Sequence, residues 1–311
     1  MPTGISIHIG VNHVDQRHYG DPCALAGCVG DARAMHALAQ AAGFEARLLL
    51  NEEATTTAVL AAIAAAAPRV GSDGFLLLTY SGHGGRMVDR GDDPEDRDHL
   101  DRVDETWCLH DRQLIDDELY GCWTQFAAGA RVLVVSDSCF SAGMIRDDKK
   151  PDRAGQPRRT LWGEVLAPEV AEVLRAVESV MENDADRRRH RVTRSRGVLR
   201  RALLPRFARR VHNRNRALYD AIQAALRERP WRPVEAQVMV LSAAQENETA
   251  ADGDENGAFT RALLAVWEGG AFQGDYKGLY AALLKRLAPG QHPMLLMLKP
   301  PAFIHQRPFT I

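Results

Sequence analysis

Two short apolar runs, at 75–78 and 132–135, each end in a cluster of small residues that carries one reactive side chain: His83 in TYSGHGG and Cys139 in VVSDSCFSAG. Runs of this length, aliphatic or β-branched and bounded by Gly and Ser, read as strands buried on both faces. Such strands belong to a parallel sheet covered by helices. Their C-terminal ends meet at one edge, where open α/β proteins place their sites. A His and a Cys at two such strand ends are the residue types of base and nucleophile in a cysteine hydrolase.

The rest of the chain supports this architecture. Strand patterns at 4–11, 45–50, 75–81 and 131–138 alternate with helical patterns at 27–42 (closed by Gly43), 55–67 (ended by Pro68) and 116–126. A long acidic excursion occupies 89–105. After residue 147 the rhythm breaks into a polar stretch with Pro151 and Pro157, a helical pattern at 166–181, and an arginine-dense tract. It returns with a strand at 237–242, helices at 257–267 and 276–287, and a strand at 293–298. This reads as one domain over 1–311. Residues 1–147 carry the reactive pair, 148–233 form a polar linker and basic helical insertion, and 234–311 complete the sheet. A net charge of −2 argues against nucleic acid as the partner of the whole chain. The five scattered cysteines suit a reducing, cytoplasmic setting, and neither a membrane span nor an N-terminal signal is expected. Structural zinc is not expected either, because Cys108 and His110 have no second pair to complete a site.

YSGHGG, VDET, IDDE and DSCFSAG, in this order, resemble the metacaspases of the caspase-like cysteine peptidase clan. GCVGDA after the first strand, and LSAAQENETA and GAFTRAL towards the C-terminus, fit the same pattern. The His–Cys separation is close to the ~50 residues known for caspases. The resemblance covers about 4–147 and 234–311. It implies a caspase–haemoglobinase fold, an α/β arrangement with a mostly parallel sheet of about six strands flanked by helices. It also implies a single-chain monomer without a prodomain that cleaves proteins or peptides after Arg or Lys. Phe140 and Ala142 stand where the family usually has His and Gly.

Cys139 is the expected nucleophile. A free thiol with a pKa of ~8.5 is only slightly ionised at neutral pH, so the imidazole of His83 would activate it and protonate the leaving amine. By resemblance, the backbone N–H groups of Gly84 and Cys139 form the oxyanion hole. Asp137 lies two residues before the nucleophile and so shares a face with it on an extended segment. The resemblance places Asp31, Asp137, Cys28 and Ser81 around the side chain that precedes the cut bond, where two acids favour a guanidinium or ammonium. Read without it, Asp31 is a helix N-terminal charge and Asp137 a turn residue.

No cofactor is required for this chemistry. Calcium as an activator is implied through Asp104, Asp116, Asp117 and Asp147, against a plain reading of a solvated acidic loop and a helix start. The basic insertion admits three readings: an arginine-rich helix lying on an acidic face, a nucleic-acid contact, or an exposed segment for self-cleavage. In the last case Lys149, Lys150, Arg153, Arg187, Arg188 and Arg189 are the candidate sites, and the enzyme would be made as a zymogen. Helical spacing of apolar positions favours a helix over 197–228. Two rival functions remain: a CHAT-like or gingipain-like peptidase with a narrow protein target, or a regulatory protein acting through the basic insertion.

Overall fold

The computed structural model describes residues 3–20, 24–88, 103–139, 201–203, 205–228, 232–244, 250–298 and 301–311. All of these fall within one compact unit, 1–147 together with 199–311.

Its centre is a six-stranded sheet. Strands β1 (Gly4–Gly10), β2 (Glu45–Leu50), β3 (Phe75–Ser81), β7 (Arg131–Asp137), β8 (Gln237–Ser242) and β9 (Met294–Met297) lie in the order β2-β1-β3-β7-β8-β9. All neighbours pair in parallel except β8 and β9, which are antiparallel. The mostly parallel sheet expected from the apolar runs is therefore present. β1 and β3 are buried along their whole length; this explains the unbroken apolar run of β3, whereas β1 alternates Ile5, Ile7 and Ile9 with the buried polar Ser6 and His8.

One face of the sheet carries Ile5, Ile7, Ile9, Leu76, Leu78, Val132, Val134, Val238 and Val240. Helices α3 (Thr56–Val70) and α4 (Asp116–Trp123) cover it with Val59, Ile63, Ala66, Leu119 and Trp123. Helix α2 (Cys28–Ala41) packs against β1, β2 and β3. Thr55 caps α3, its hydroxyl accepting from the Ala58 N–H at 3.2 Å.

The structure corrects the expected end of α3. The helix runs through Pro68 to Val70 instead of stopping before it. Pro68 removes one N–H, but Ala64, four residues earlier, lies on the exposed face where water can satisfy its carbonyl. Burial of Ala66, Ala67 and Val70 holds the last turn.

A second sheet was not anticipated from the sequence. Strands β4 (Gly84–Val88), β5 (Val103–Cys108) and β6 (Gln113–Ile115) form an antiparallel ribbon that begins one residue after His83. The strands are short and interrupted by the acidic excursion, too brief for periodicity to show. Helices α5 (Pro205–Arg214) and α6 (Arg216–Glu228) fill the region expected to be helical, but residues 201–203 precede them as a non-helical segment beside β4. Helices α1 (Gln16–Tyr19), α7 (Ala258–Trp267) and α8 (Tyr276–Arg286) are the remaining described α-helices. Among the described residues no helix is long and apolar enough to cross a membrane.

Candidate active site

Parallel pairing of β3 with β7 sets Ser81 opposite Asp137, so the segments carrying His83 and Cys139 leave the sheet side by side. The strand order reverses direction between β1 and the neighbouring β3, the kind of switch point at which open α/β sheets form a crevice at the C-terminal ends of their strands. The carbonyl of His83 accepts from the Cys108 N–H at 2.9 Å and from the Tyr80 hydroxyl at 2.8 Å. The Tyr80 ring stacks on Trp107 at 4.5 Å, and the Trp107 indole N–H donates to Ser136 Oγ at 3.1 Å. These bonds tie the His83 turn to β5 and β7. A Cβ on Gly84 would stand 1.6 Å from the Cys139 carbonyl oxygen, so only glycine permits this approach. Cys139 is fully buried, and its Sγ accepts from the Ala250 N–H at 3.1 Å.

Next to this pair is a cage of carboxylates closed around one cation. Asp31 comes from the first turn of α2, Asp137 from the end of β7, and Asp252 from the segment after β8. Between them lies the side chain of Arg201, with none of its surface exposed. Arg201 Nη1 is 2.7 Å from Asp31 Oδ2 and 2.9 Å from Asp137 Oδ2, and it donates to Ser81 Oγ at 2.7 Å. Arg201 Nε and Nη2 both donate to Asp252 Oδ1, at 3.2 and 2.9 Å.

The acids are themselves held in place. Asp31 Oδ1 accepts from the Gly257 N–H at 2.9 Å and from Asn256 Nδ2 at 3.0 Å, and its Oδ2 accepts from the Ser81 hydroxyl at 2.8 Å. Asp137 Oδ2 accepts from the N–H and hydroxyl of Thr260, at 3.1 and 2.7 Å. Asp252 accepts from the N–H groups of Ala26 and Gly27. A Cβ on Gly257 would meet the guanidinium at 2.6 Å, so the pocket wall is glycine at that point.

The main chain of Arg201 is bound as well. Its carbonyl oxygen accepts from the N–H of Gly84 at 2.9 Å and of Cys139 at 3.3 Å. Its N–H donates to the Ala250 carbonyl at 3.1 Å, and the Leu203 N–H donates to the Gly84 carbonyl at 2.8 Å. The peptide bond between Arg201 and Ala202 is thus bracketed on both sides.

The structure therefore brings Cys139, His83, Gly84, Asp31, Asp137 and Ser81 into one place. Cys28 lies beside them, fully buried, with burial pushing its thiol up to about 12 and keeping it protonated. Two members of the cluster escaped the sequence reading, Asp252 and Arg201. Asp252 begins the acidic DGDEN run just before the GAFT segment, and that position was its only signal. Arg201 is one of many arginines in its tract, with nothing local to distinguish it.

Burial and the neighbouring charge of Asp137 push Asp31 up to about 6, against the opposing pull of Arg201. For Asp252, burial works against the charged form, but hydrogen bonds from Ala26, Gly27 and Arg201 hold it below the usual carboxylate range. Burial likewise opposes the charge on Arg201, yet Asp137 and Asp31 keep it firmly protonated.

Of the residues considered for calcium, Asp116 is buried beneath β5 and accepts from the Glu105 and Asp117 N–H groups. Burial, then the charges of Asp104, Asp117 and Glu105, push its carboxyl well above the usual range. Gln223 on α6 donates to Asp104 Oδ2 at 2.9 Å. Among the described residues no three or more His, Cys, Asp or Glu side chains form a group that could hold a metal ion. Asp147, Lys149, Lys150, Arg153, Arg187, Arg188 and Arg189 lie outside the described residues.

Comparison with known proteins gives the family and the fold. The model of a family described as the caspase domain matches residues 4–301. Metacaspase-4 of Arabidopsis thaliana is 30% identical over 159 residues, which is 48% of this chain and 36% of that protein. The chain thus matches about a third of that relative's length. The crystal structure of protein GSU0716 from Geobacter sulfurreducens is 35% identical, covers 100% of this chain and 99% of its own, and has a TM-score of 0.75. Caspase-1 from Spodoptera frugiperda shares the fold at a TM-score of 0.50 and 11% identity, over 96% of this chain and 87% of its own.

Proposed function

The chain belongs to the caspase-domain family of cysteine peptidases, and on that premise we propose that it is an endopeptidase that cuts after basic residues, arginine foremost. The observation that carries this reading is Arg201. An arginine side chain fills the carboxylate cage while its own carbonyl oxygen rests on two backbone N–H groups, one of them that of Cys139. A substrate arginine entering the same crevice would present its scissile carbonyl to the same donors.

In this mechanism Cys139 Sγ attacks that carbonyl carbon, and the N–H groups of Gly84 and Cys139 take up the charge on oxygen. His83 protonates the leaving amine and then takes a proton from the water that hydrolyses the thioester. Asp31 and Asp137 both act on one terminal nitrogen, a role an ammonium could also satisfy. Asp252 grips the Nε–Nη2 edge, which lysine lacks. Arginine should therefore be preferred over lysine.

Calcium enters the reading as an activator. It would be held by Asp104, Asp116 and Asp117 only together with Asp147 or other oxygens beyond the described residues, since the described carboxylates alone form no group that could hold a metal ion. The test is hydrolysis of matched fluorogenic peptides ending in Arg, Lys or Asp, with calcium or chelator, by the wild type and Cys139→Ala. Cleavage after Arg that is lost in Cys139→Ala supports the nucleophile and the pocket. Cleavage after Asp would refute the acidic pocket.

A further inference from the structure

We infer that the Arg201–Ala202 peptide bond is the chain's own self-cleavage site, held in cis in the catalytic crevice, and that Arg201 keeps the uncut chain latent. The inference rests on the peptidase reading above and names the regulation of that site.

Three independent features of residues 201–203 match what a bound substrate needs. The side chain is sequestered, with every guanidinium nitrogen within hydrogen-bond distance of a carboxylate. The carbonyl lies on both candidate oxyanion donors. The N–H of Arg201 and that of Leu203 anchor the chain on either side of the bond, to Ala250 and Gly84. An arginine that merely stabilised the fold would need the first feature only. A guanidinium with no exposed surface also has to be displaced before any other arginine can enter, so the competent fraction of uncut protein is small.

The reaction balances as a hydrolysis. Cys139 Sγ bonds to the Arg201 carbonyl carbon, and the C–N bond to Ala202 breaks. The Ala202 nitrogen takes a proton by way of His83 and becomes a new N-terminus. Water then attacks the thioester, giving a free Arg201 carboxylate and the restored Cys139 thiol.

The far side of the cut stays in place. Leu203 is buried with Tyr19, Met87, Ala208, Val211 and Tyr219, and the Tyr219 hydroxyl bonds to His18 Nε2 at 2.6 Å and to the Gln113 N–H at 3.1 Å. Only the Arg201 side has to leave for the pocket to open.

The test follows full-length wild type, Cys139→Ala, Arg201→Gln and Ala202→Pro by intact mass and N-terminal sequencing, with calcium and with chelator. Each sample is also assayed on an arginine fluorogenic peptide. Wild type should yield a new N-terminus at Ala202 at a rate unchanged by hundredfold dilution, while Cys139→Ala stays whole. Arg201→Gln should remain uncut at this bond yet hydrolyse the peptide without a lag, roughly tenfold faster initially than uncut wild type. Ala202→Pro keeps Arg201 in the pocket but makes the bond a tertiary amide; it should stay uncut and latent, guarding against misfolding of Arg201→Gln. Peptide hydrolysis by wild type with no Ala202 N-terminus would overturn this inference and leave the peptidase reading intact. A rate proportional to protein concentration would overturn the arrangement in cis. Absence of both cleavage and peptide hydrolysis from every variant would refute the two together.

Discussion

Asp252 and Asp31 hold the same guanidinium by different edges, and their roles separate in experiment. Asp252 contacts Nε and Nη2, atoms without a counterpart in lysine. Asp252→Asn should lower kcat/KM for arginine peptides by roughly 10–100-fold, the worth of hydrogen bonds to a charged group. Lysine peptides should change by less than about threefold, since their ammonium relies on Asp31 and Asp137. An equal fall for both would show that Asp252 only shapes the pocket. Asp31 titrates at about 6 with Arg201 in place, because burial and Asp137 disfavour its charge. Removing Arg201 takes away the neighbouring cation that lowers it, leaving the hydrogen bonds from Ser81, Asn256 and the Gly257 N–H to favour its charge. Agmatine binding to Arg201→Gln, measured by calorimetry, should therefore weaken as pH falls from somewhat above 6, as Asp31 takes up a proton and loses its attraction. A Kd flat between pH 7 and 5 would contradict this. Of these residues, Asp31 and Asp137 were legible because they sit in ordered motifs beside Cys28 and Cys139. Asp252 and Arg201 were not, since only the folded chain brings positions 31, 137, 201 and 252 within a few ångströms.

Elements were readable where they are long or buried on both sides. β3, β7 and β8 carry apolar runs, and β1 an alternation of isoleucines with Ser6 and His8, whose type follows from the need to satisfy backbone groups inside a core. The ribbon β4–β6 was missed because its hydrogen bonds are made across the acidic excursion, with only three to six residues in each strand. Pro68 misled for the opposite reason, since local propensity ends a helix there and tertiary burial of Val70 continues it. Pro68 is exposed, so Pro68→Ala should restore one helical hydrogen bond without disturbing the core. A gain of about 1–3 kcal/mol in unfolding free energy is expected from urea titration. A loss would mean that α3 needs the proline's geometry.

Across the whole molecule, stability couples to pH through the sheet as well as the crevice. His8 lies in β1 with its Nδ1 2.9 Å from Thr79 Oγ1 of β3, and burial, then the charge of His36, lower its pKa from 6.5 to about 3. The unfolded chain therefore binds a proton below pH 6.5 that the folded chain refuses until about pH 3. Stability from this group is complete above 6.5 and falls with acid, by up to about 1.4 kcal/mol per pH unit. Asp31 acts in the opposite sense, since its raised pKa favours the folded chain at low pH, so only a comparison isolates His8. Between pH 7 and 5 the urea midpoint of wild type should drop more than that of His8→Gln; equal drops would exclude His8 as the source.

By itself the sequence determined the sheet, the edge at which it opens, and the two reactive side chains there, because burial imposes apolar runs and chemistry demands particular residue types at their ends. Only the tertiary structure decided which arginine of a basic tract enters the crevice and which third carboxylate receives it. Those choices depend on distances between segments far apart along the chain, and no local pattern encodes them.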